Sequence, residues 1–296
     1  MIIGVDVSKY NLGWNPEMSK APIGFVIQRA SWSLYKDEQF DALYQQVSKI
    51  PIRGAYHYYS SGVPWKAQAE SFLSITNGRF DFYAVDYEKL YNNLSMRTIA
   101  EVYEMVKFIK AATGKRCLLY FSPDVWNIAI KPYKYDNWVN STDVWIAQYP
   151  WTMVMDGTAQ FKSPYLPTGL KKWDFWQYGG GDVNFTAGRK AGAMYGGGLQ
   201  GIDLNYFNGE LAQLQEWVKN TPVTPPPADN RYMVTVPQLN IRSGPSVSYS
   251  IIGQYHTDDK FVLYETKKIG SDTWGRSETG WIALVYNGFN YTTWRP

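Results

Sequence analysis

Cysteine is nearly absent from this chain. Cys117 is the one thiol in 296 residues, so no intramolecular disulfide can form and folding needs no oxidising compartment. Histidine is scarce too. With only His57 and His256 beside that thiol, a zinc centre built from several His and Cys ligands lacks its donors, and neither a metal nor a cofactor is expected. A Cys/His nucleophilic pair would need Cys117 next to His57, yet Cys117 opens an apolar run and reads as a buried core thiol. His57 itself reads equally well as a hydrogen-bonded rim residue or a satisfied core histidine. The glycines at 179–181 and 196–198 belong to no GxxxxGK[ST] pattern, which excludes a phosphate loop, and they read as a mobile segment.

Concentrated charge is also missing. The formal net charge is +3, with no Lys/Arg run or basic stripe, so nucleic acid is not an expected partner. No window approaches the roughly 20 apolar residues of a membrane span. Met1 leads directly into IIGVDVSKY without a basic start, an apolar stretch or a small-residue cleavage site. Synthesis in a cytoplasm without a signal peptide is the expectation.

Aromatic residues are abundant. They make up 17% of the chain, including 13 Trp and 24 Tyr, more than packing alone demands, and rings in such excess line surfaces that stack on sugars or flat ligands. Hydrophobic residues at 45% against 19% charged mark a folded globular protein, and the length suggests one large domain with a smaller one. Pro222, Pro225, Pro226 and Pro227 in TPVTPPPADN place a semi-rigid linker at residues 221–230 between domains 1–220 and 231–296.

Eight short apolar runs precede the linker, at residues 2–6, 24–30, 54–59, 82–88, 117–122, 143–149, 173–178 and 201–207. Between several of them lie segments with helical spacing. In the longest, Ile99, Val102, Val106 and Ile109 form one stripe, Ser95 is a candidate N-cap and Gly114 a candidate stop. Apolar strands alternating with helices predict an α/β fold with a parallel sheet, here an irregular (β/α)8-type barrel whose later helices, near 123–140 and 150–172, are short or missing. Asp6, Asp86, Glu88 and Asp203 then fall at the C-terminal ends of strands, with Tyr120, Gln148 and Gln177. That rim is where such barrels assemble active sites. Carboxylates crowded by aromatic walls cannot all stay ionised, and a shared proton beside a remaining carboxylate is what glycosidic cleavage needs. Strand alternation puts Asp86 and Glu88 on one side and Tyr87 on the other.

Taken in order, GVDVSKY, FVIQRAS, GAYHYY, the DYE of residues 86–88, DVWIAQY, WQY and GIDLNYF resemble the glycoside hydrolase family 25 muramidases. The resemblance covers residues 1 to about 220. It implies a flattened, irregular β/α barrel that cleaves the β-1,4 bond between N-acetylmuramic acid and N-acetylglucosamine in peptidoglycan. By position it makes Glu88 the general acid, Asp86 the carboxylate assisting at the opposite face, either through the 2-acetamido group or with direct attack by water, and Asp6 and Asp203 the residues that tune the pair and hold sugar hydroxyls. Tyr56, Tyr58, Tyr120, Trp145 and Trp176, with Gln148 and Gln177, become candidates to flank the glycan. The stretch GGGDVNFTAGRKAGAMYGGG looks like an insertion of about ten residues in a Gly-rich loop.

Residues 231–296 alternate short strands with turn residues, which implies a small all-β barrel. LNIRSGPS and WGRSETGWIAL resemble bacterial SH3 domains that bind the cell wall. A tethered second module raises the enzyme's concentration on an insoluble polymer. The resulting expectation is a two-domain peptidoglycan hydrolase of the phage endolysin kind, held in the host cytoplasm until released to the wall. A non-catalytic glycan lectin and an N-acetylglucosaminidase on the same scaffold remain the alternatives.

Overall fold

The eight apolar runs of the N-terminal region become strands that close on themselves. A computed structural model of the chain describes residues 1–90, 92–149, 163–179, 186–198, 201–220, 231–263, 265–277 and 279–294. Strands β1 (Ile2–Val7), β2 (Phe25–Trp32), β4 (Arg53–Tyr58), β5 (Phe82–Asp86), β6 (Cys117–Phe121), β7 (Asp143–Ala147), β8 (Phe175–Gly179) and β9 (Asp203–Phe207) form the ring, and a two-residue β3 (Tyr35–Lys36) hangs on β2. Pairing of β1 with both β2 and β9 completes the barrel.

One expectation needs correcting. The ring strands from β1 to β8 run parallel, leaving aside the antiparallel β3 hung on β2, but β9 is antiparallel to both neighbours. Asp203 therefore opens its strand instead of ending one, and it reaches the common rim because the strand runs the other way. Its register partner across the seam is Asp6.

Helices α1 (Phe40–Val47), α2 (Trp65–Thr76) and α3 (Met96–Thr113) follow their strands and cover the outside. They bury Phe40, Leu43, Phe72, Ile99, Val102 and Val106 among others against the outward-facing strand residues. Helix α3 is bounded as its sequence predicts: the Ser95 side chain caps Thr98 N, and Gly114 ends the helix at φ +64°. Beyond β6 the cover thins to the short turns Pro123–Val125, Trp126–Ile130 and Asp136–Ser141. No helix appears in the described residues 163–174. The Gly-rich stretch read as a mobile loop contains α4 (Thr186–Met194), while residues 180–185 and 199–200 lie outside the described residues. Gly196 shows why glycine is used there: at φ +83°, a Cβ would sit 2.1 Å from the Asn15 oxygen.

Alternation decides what fills the barrel. Phe25, Phe82, Leu118, Phe175 and Phe207 point inward and pack as one cluster, with Phe175 5.0 Å from Phe25 and 5.3 Å from Phe82 between ring centres. Glycine makes room for them. A Cβ on Gly4 would lie 2.4 Å from the Phe25 ring, and one on Gly54 2.4 Å from Phe82. Trp217 of α5 (Leu211–Lys219) closes this aromatic base, edge-on to Phe82 and Phe175.

The chain divides into two compact units, Met1–Pro222 and Val223–Pro296. The Pro-rich linker at 221–230 lies outside the described residues. The second unit is all-β and antiparallel. One sheet joins Lys260–Val262, Arg231–Val234 and Thr292–Trp294; the other orders Ile251–His256, Gln238–Arg242, Gly280–Tyr286, Asp272–Ser277 and Glu265–Ile269. Its core holds Leu239, Ile241, Leu263, Trp274, Ile282 and Leu284. Among the described residues no helix is long and apolar enough to cross a membrane.

Candidate active site

Above the aromatic base, the inward positions turn polar. Moving one more step along each strand, β1 presents Asp6, β2 Arg29, β4 Tyr56 and then Tyr58, β5 Asp86, β6 Tyr120, β7 Trp145, β8 Gln177, and β9 Asn205 and Asp203. Register ties them side by side: Tyr58 to Asp86, Asp86 to Tyr120, Tyr120 to Trp145, Gln177 to Asn205, and Asp203 to Asp6. Glu88 lies two residues past Asp86, half-buried at the mouth. All four predicted carboxylates thus meet in one bowl.

Asp6 sits at the bottom of that bowl, 4% exposed. Its Oδ2 accepts from Gln177 Nε2 and from Asn205 Nδ2, each at 2.8 Å. Both amides are themselves oriented. Trp145 Nε1 donates to Asn205 Oδ1 at 2.8 Å, and Gln177 Oε1 accepts from Tyr120 at 2.7 Å and Tyr149 at 2.8 Å. With their oxygens occupied, the amides can offer only N–H groups to Asp6.

Electrostatics follow from burial and crowding. Burial pushes Asp6 from 3.8 up to about 6, although the two amide donors and the Arg29 guanidinium oppose the rise. Asp86 is held well above its usual range by burial first, then by the charges of Glu88 and Asp6, with Arg29 again opposing. Asp203 is raised well above its usual range by burial, with Asp6 and Glu88 adding to it. Glu88 is raised by burial, and hydrogen bonding from Tyr120 offsets part of that. The Tyr120 hydroxyl has one proton, so it donates either to Gln177 Oε1 or to Glu88. Asp86 Oδ1 is buried and has no hydrogen-bond partner. Burial pushes all four carboxyls toward the protonated form and their mutual charges add to it, the condition under which such a site can retain a transferable proton.

Arg29 is the cation facing this cluster. It is fixed from behind by Asp37, whose Oδ2 lies 2.6 Å from Arg29 Nε, and its guanidinium covers the Tyr10 ring at 5.3 Å. Arg29 Nη2 is buried without a partner.

Several predicted residues land elsewhere. Trp176 alternates with Gln177 and so faces the outer layer, 1% exposed, packed on Trp173 and Tyr206, with its Nε1 donating to the Gln148 oxygen. It cannot reach a ligand in the bowl. Trp145 is inside the barrel but also 1% exposed, so it orients Asn205 and supports Tyr120 from a ring distance of 4.5 Å without an open face of its own. Gln148 braces the rim, receiving Tyr165 N on its Oε1 at 2.6 Å. Tyr58 hydrogen-bonds to the Leu90 oxygen at the mouth. His57 turns outward to Ser31 and Gln68, and burial lowers it to about 4, which makes it a core residue. Tyr87 also faces outward, bonded to Thr98. Among the described residues, no group of three or more His, Cys, Asp or Glu side chains is placed to hold a metal ion.

Sequence reasoning passed over Arg29, Asn205 and Tyr149. Each carried a parity signal: Arg29 shares the parity of Phe25 and Ile27, Asn205 that of Asp203, and Tyr149 that of Trp145.

Comparison with known proteins agrees with this geometry. Residues 5–183 match the model of a family described as glycosyl hydrolases family 25. A bacterial lysozyme from Streptomyces coelicolor superposes with a TM-score of 0.58 at 26% identity, covering 74% of this chain and 98% of that one. The catalytic domain of endolysin ply40 from Listeria monocytogenes bacteriophage P40 shares the fold, with a TM-score of 0.53 at 22% identity over 73% of this chain and 98% of that one. Among curated sequences, the uncharacterised protein YegX of Escherichia coli strain K12 is 27% identical over 236 residues, 76% of each chain.

Proposed function

The chain belongs to the glycosyl hydrolases of family 25, and from that premise we propose that it cuts the β-1,4 bond between N-acetylmuramic acid and N-acetylglucosamine in bacterial peptidoglycan. It is a glycoside hydrolase of the lysozyme, N-acetylmuramidase, type. The observation that carries the reading is the bowl itself: four carboxyls converge on one barrel mouth, all raised by burial, with Arg29 the cation that opposes the rise at Asp6 and Asp86.

In this reading Glu88 is the general acid. It is the longest of the four side chains and the one past the end of its strand, so it reaches the departing glycosidic oxygen while the others stay deeper. Asp86 acts from below. Its unpartnered Oδ1 is an acceptor without a donor, and the substrate's 2-acetamido N–H supplies one. Asp6, held by two amide donors, and Asp203, beside it across the seam, set how the proton is shared between the other two. Tyr120, Tyr58 and Tyr56 border the same space and position the sugar rings.

The second unit serves as a bacterial SH3-like wall-binding module, a role supported by its small antiparallel core and by the motifs LNIRSGPS and WGRSETGWIAL. The whole chain then acts as a phage endolysin. It stays in the host cytoplasm until released, which suits a protein that folds without disulfides.

The test is Glu88→Gln. It should abolish wall lysis while binding to intact walls persists, and full lysis by that variant would overturn the assignment. Mass spectrometry of digested peptidoglycan separates the bond choice: new reducing ends on muramic acid support the reading, and ends on glucosamine replace it with a glucosaminidase.

A further inference from the structure

The rim carries an aromatic ledge beyond the carboxylates, and it exists because of one extra residue in β2. Arg29 pairs with Tyr56, but the next registered pair is Ser31 with His57, so two residues of β2 face one of β4. This is a β-bulge at Ala30. Such bulges re-aim side chains next to functional sites. In an unbroken register Ala30 would pair with His57 and Ser31 with Tyr58, and Trp32 would turn toward the outer layer. With the bulge, Ser31 takes the outward place and hydrogen-bonds to His57 at 2.8 Å, while Trp32 pairs with Tyr58 on the rim side. Tyr58 in turn pairs with Asp86.

A tight reversal then doubles the surface. Ser33 takes a left-handed φ of 51°, and β3 folds back so that Tyr35 pairs with Trp32. The rings lie 5.2 Å apart at a 35° tilt, with Trp32 42% and Tyr35 63% exposed. Two large aromatic faces side by side in solvent cost apolar exposure that a purely structural hairpin would avoid. The ledge is continuous with the bowl: Trp32, Tyr58 and Asp86 are successive neighbours across three strands, about 10 Å in all at normal strand spacing.

We propose that the Trp32–Tyr35 ledge is a remote sugar-binding subsite, holding an N-acetylated hexosamine of the glycan strand beyond the units at the cleaved bond. The inference rests on the muramidase reading of the bowl. Its chemistry is that of stacking: a sugar's C–H face on an indole and a phenol, with the continuous row through Tyr58 keeping the strand aligned over Glu88. Substrate of several units is bound more tightly than the shortest cleavable one, because only the longer strand reaches the ledge.

The experiment uses the full chain and peptide-free glycan strands, prepared from peptidoglycan by removing the stems and sorted by length. In the Glu88→Gln background, adding Trp32→Ala should weaken the Kd for long strands roughly fivefold to tenfold, about what one stacked ring contributes. Trp32→Phe should restore most of that. Tyr35→Ala gives an independent arm with a smaller loss in the same direction. With Glu88 intact, Trp32→Ala should raise KM for long strands more than for the shortest cleaved ones, with the change carried by KM and not by kcat. An unchanged Kd for long strands in both ledge variants overturns the subsite. Stem-bearing strands are titrated alongside, and a loss confined to them overturns it too, in favour of a peptide-binding ledge. Failure of the muramidase reading would appear separately, as an absence of new muramic acid reducing ends from the unsubstituted protein.

Discussion

Replacing Asp6 with Asn should stabilise the protein at neutral pH while it impairs catalysis. The present carboxylate accepts two amide N–H groups on one oxygen, and an Asn oxygen in the same place accepts both. Its NH2 then replaces an anionic oxygen and turns toward Asp86 and Asp203, where a donor is welcome. The gain can be bounded. An ionisable group at about 6 in the fold against 3.8 ordinarily is worth at most ~3 kcal/mol at pH 7. Asp86, Glu88 and Asp203 redistribute protons when Asp6 is neutralised, so a net gain of about 1–2 kcal/mol is expected, or roughly 2–8 °C in Tm for a unit of this size. The sign fixes the pH window. Between 3.8 and about 6 the native state holds a proton that the unfolded chain has released, so the unsubstituted protein loses stability as pH rises through about 6, and the variant does not. Calorimetric melts of both proteins at pH 7.5 and pH 3.5 make the check. The gap should be open at the higher pH and closed at the lower. A variant no more stable at pH 7.5, or equally favoured at both, would refute the idea that burial strains this carboxylate.

Two further outcomes follow from the same geometry. Arg29 opposes the upward shifts of Asp6 and Asp86, so Arg29→Gln, which keeps a donor for Asp37, should move the acid limb of the kcat/KM profile to higher pH; Arg29→Lys should move it less, and an unmoved limb would remove Arg29 from the electrostatics of the site. A chain ending at residue 220 should still cut soluble wall fragments but sediment less with whole cells, and undiminished sedimentation would deny the second unit its targeting role.

How much of this was legible beforehand differs by level. All eight barrel strands appear where short apolar runs stand in the sequence, because burial on both faces leaves few polar residues to interrupt them. Strand direction was not legible. Nothing local in GIDLNYF distinguishes a parallel from an antiparallel strand, since that choice is made by its neighbours β1 and β8. The carboxylates were readable because charge at the end of an apolar run is conspicuous. Asn205 and Arg29 carried parity alone, because a neutral amide or a lone cation looks like ordinary surface until the closed barrel brings its side chain to Asp6. Trp176 was misread for a related reason: its neighbour Gln177 faces the bowl, and one residue of phase sends an indole to the opposite side. The bulge at Ala30 changes that phase without any glycine or proline to announce it.

The seam between β1 and β9 also has a bearing on biosynthesis. Asp203 and Asn205 are made about two hundred residues after Asp6, yet all three must meet before the bowl exists. A ribosome-bound fragment that ends before β9 has an open sheet edge in place of a seam, and its Asp6 lacks one of its two donors. Hydrolytic competence therefore arrives with the last barrel strand, as a property of the closed ring.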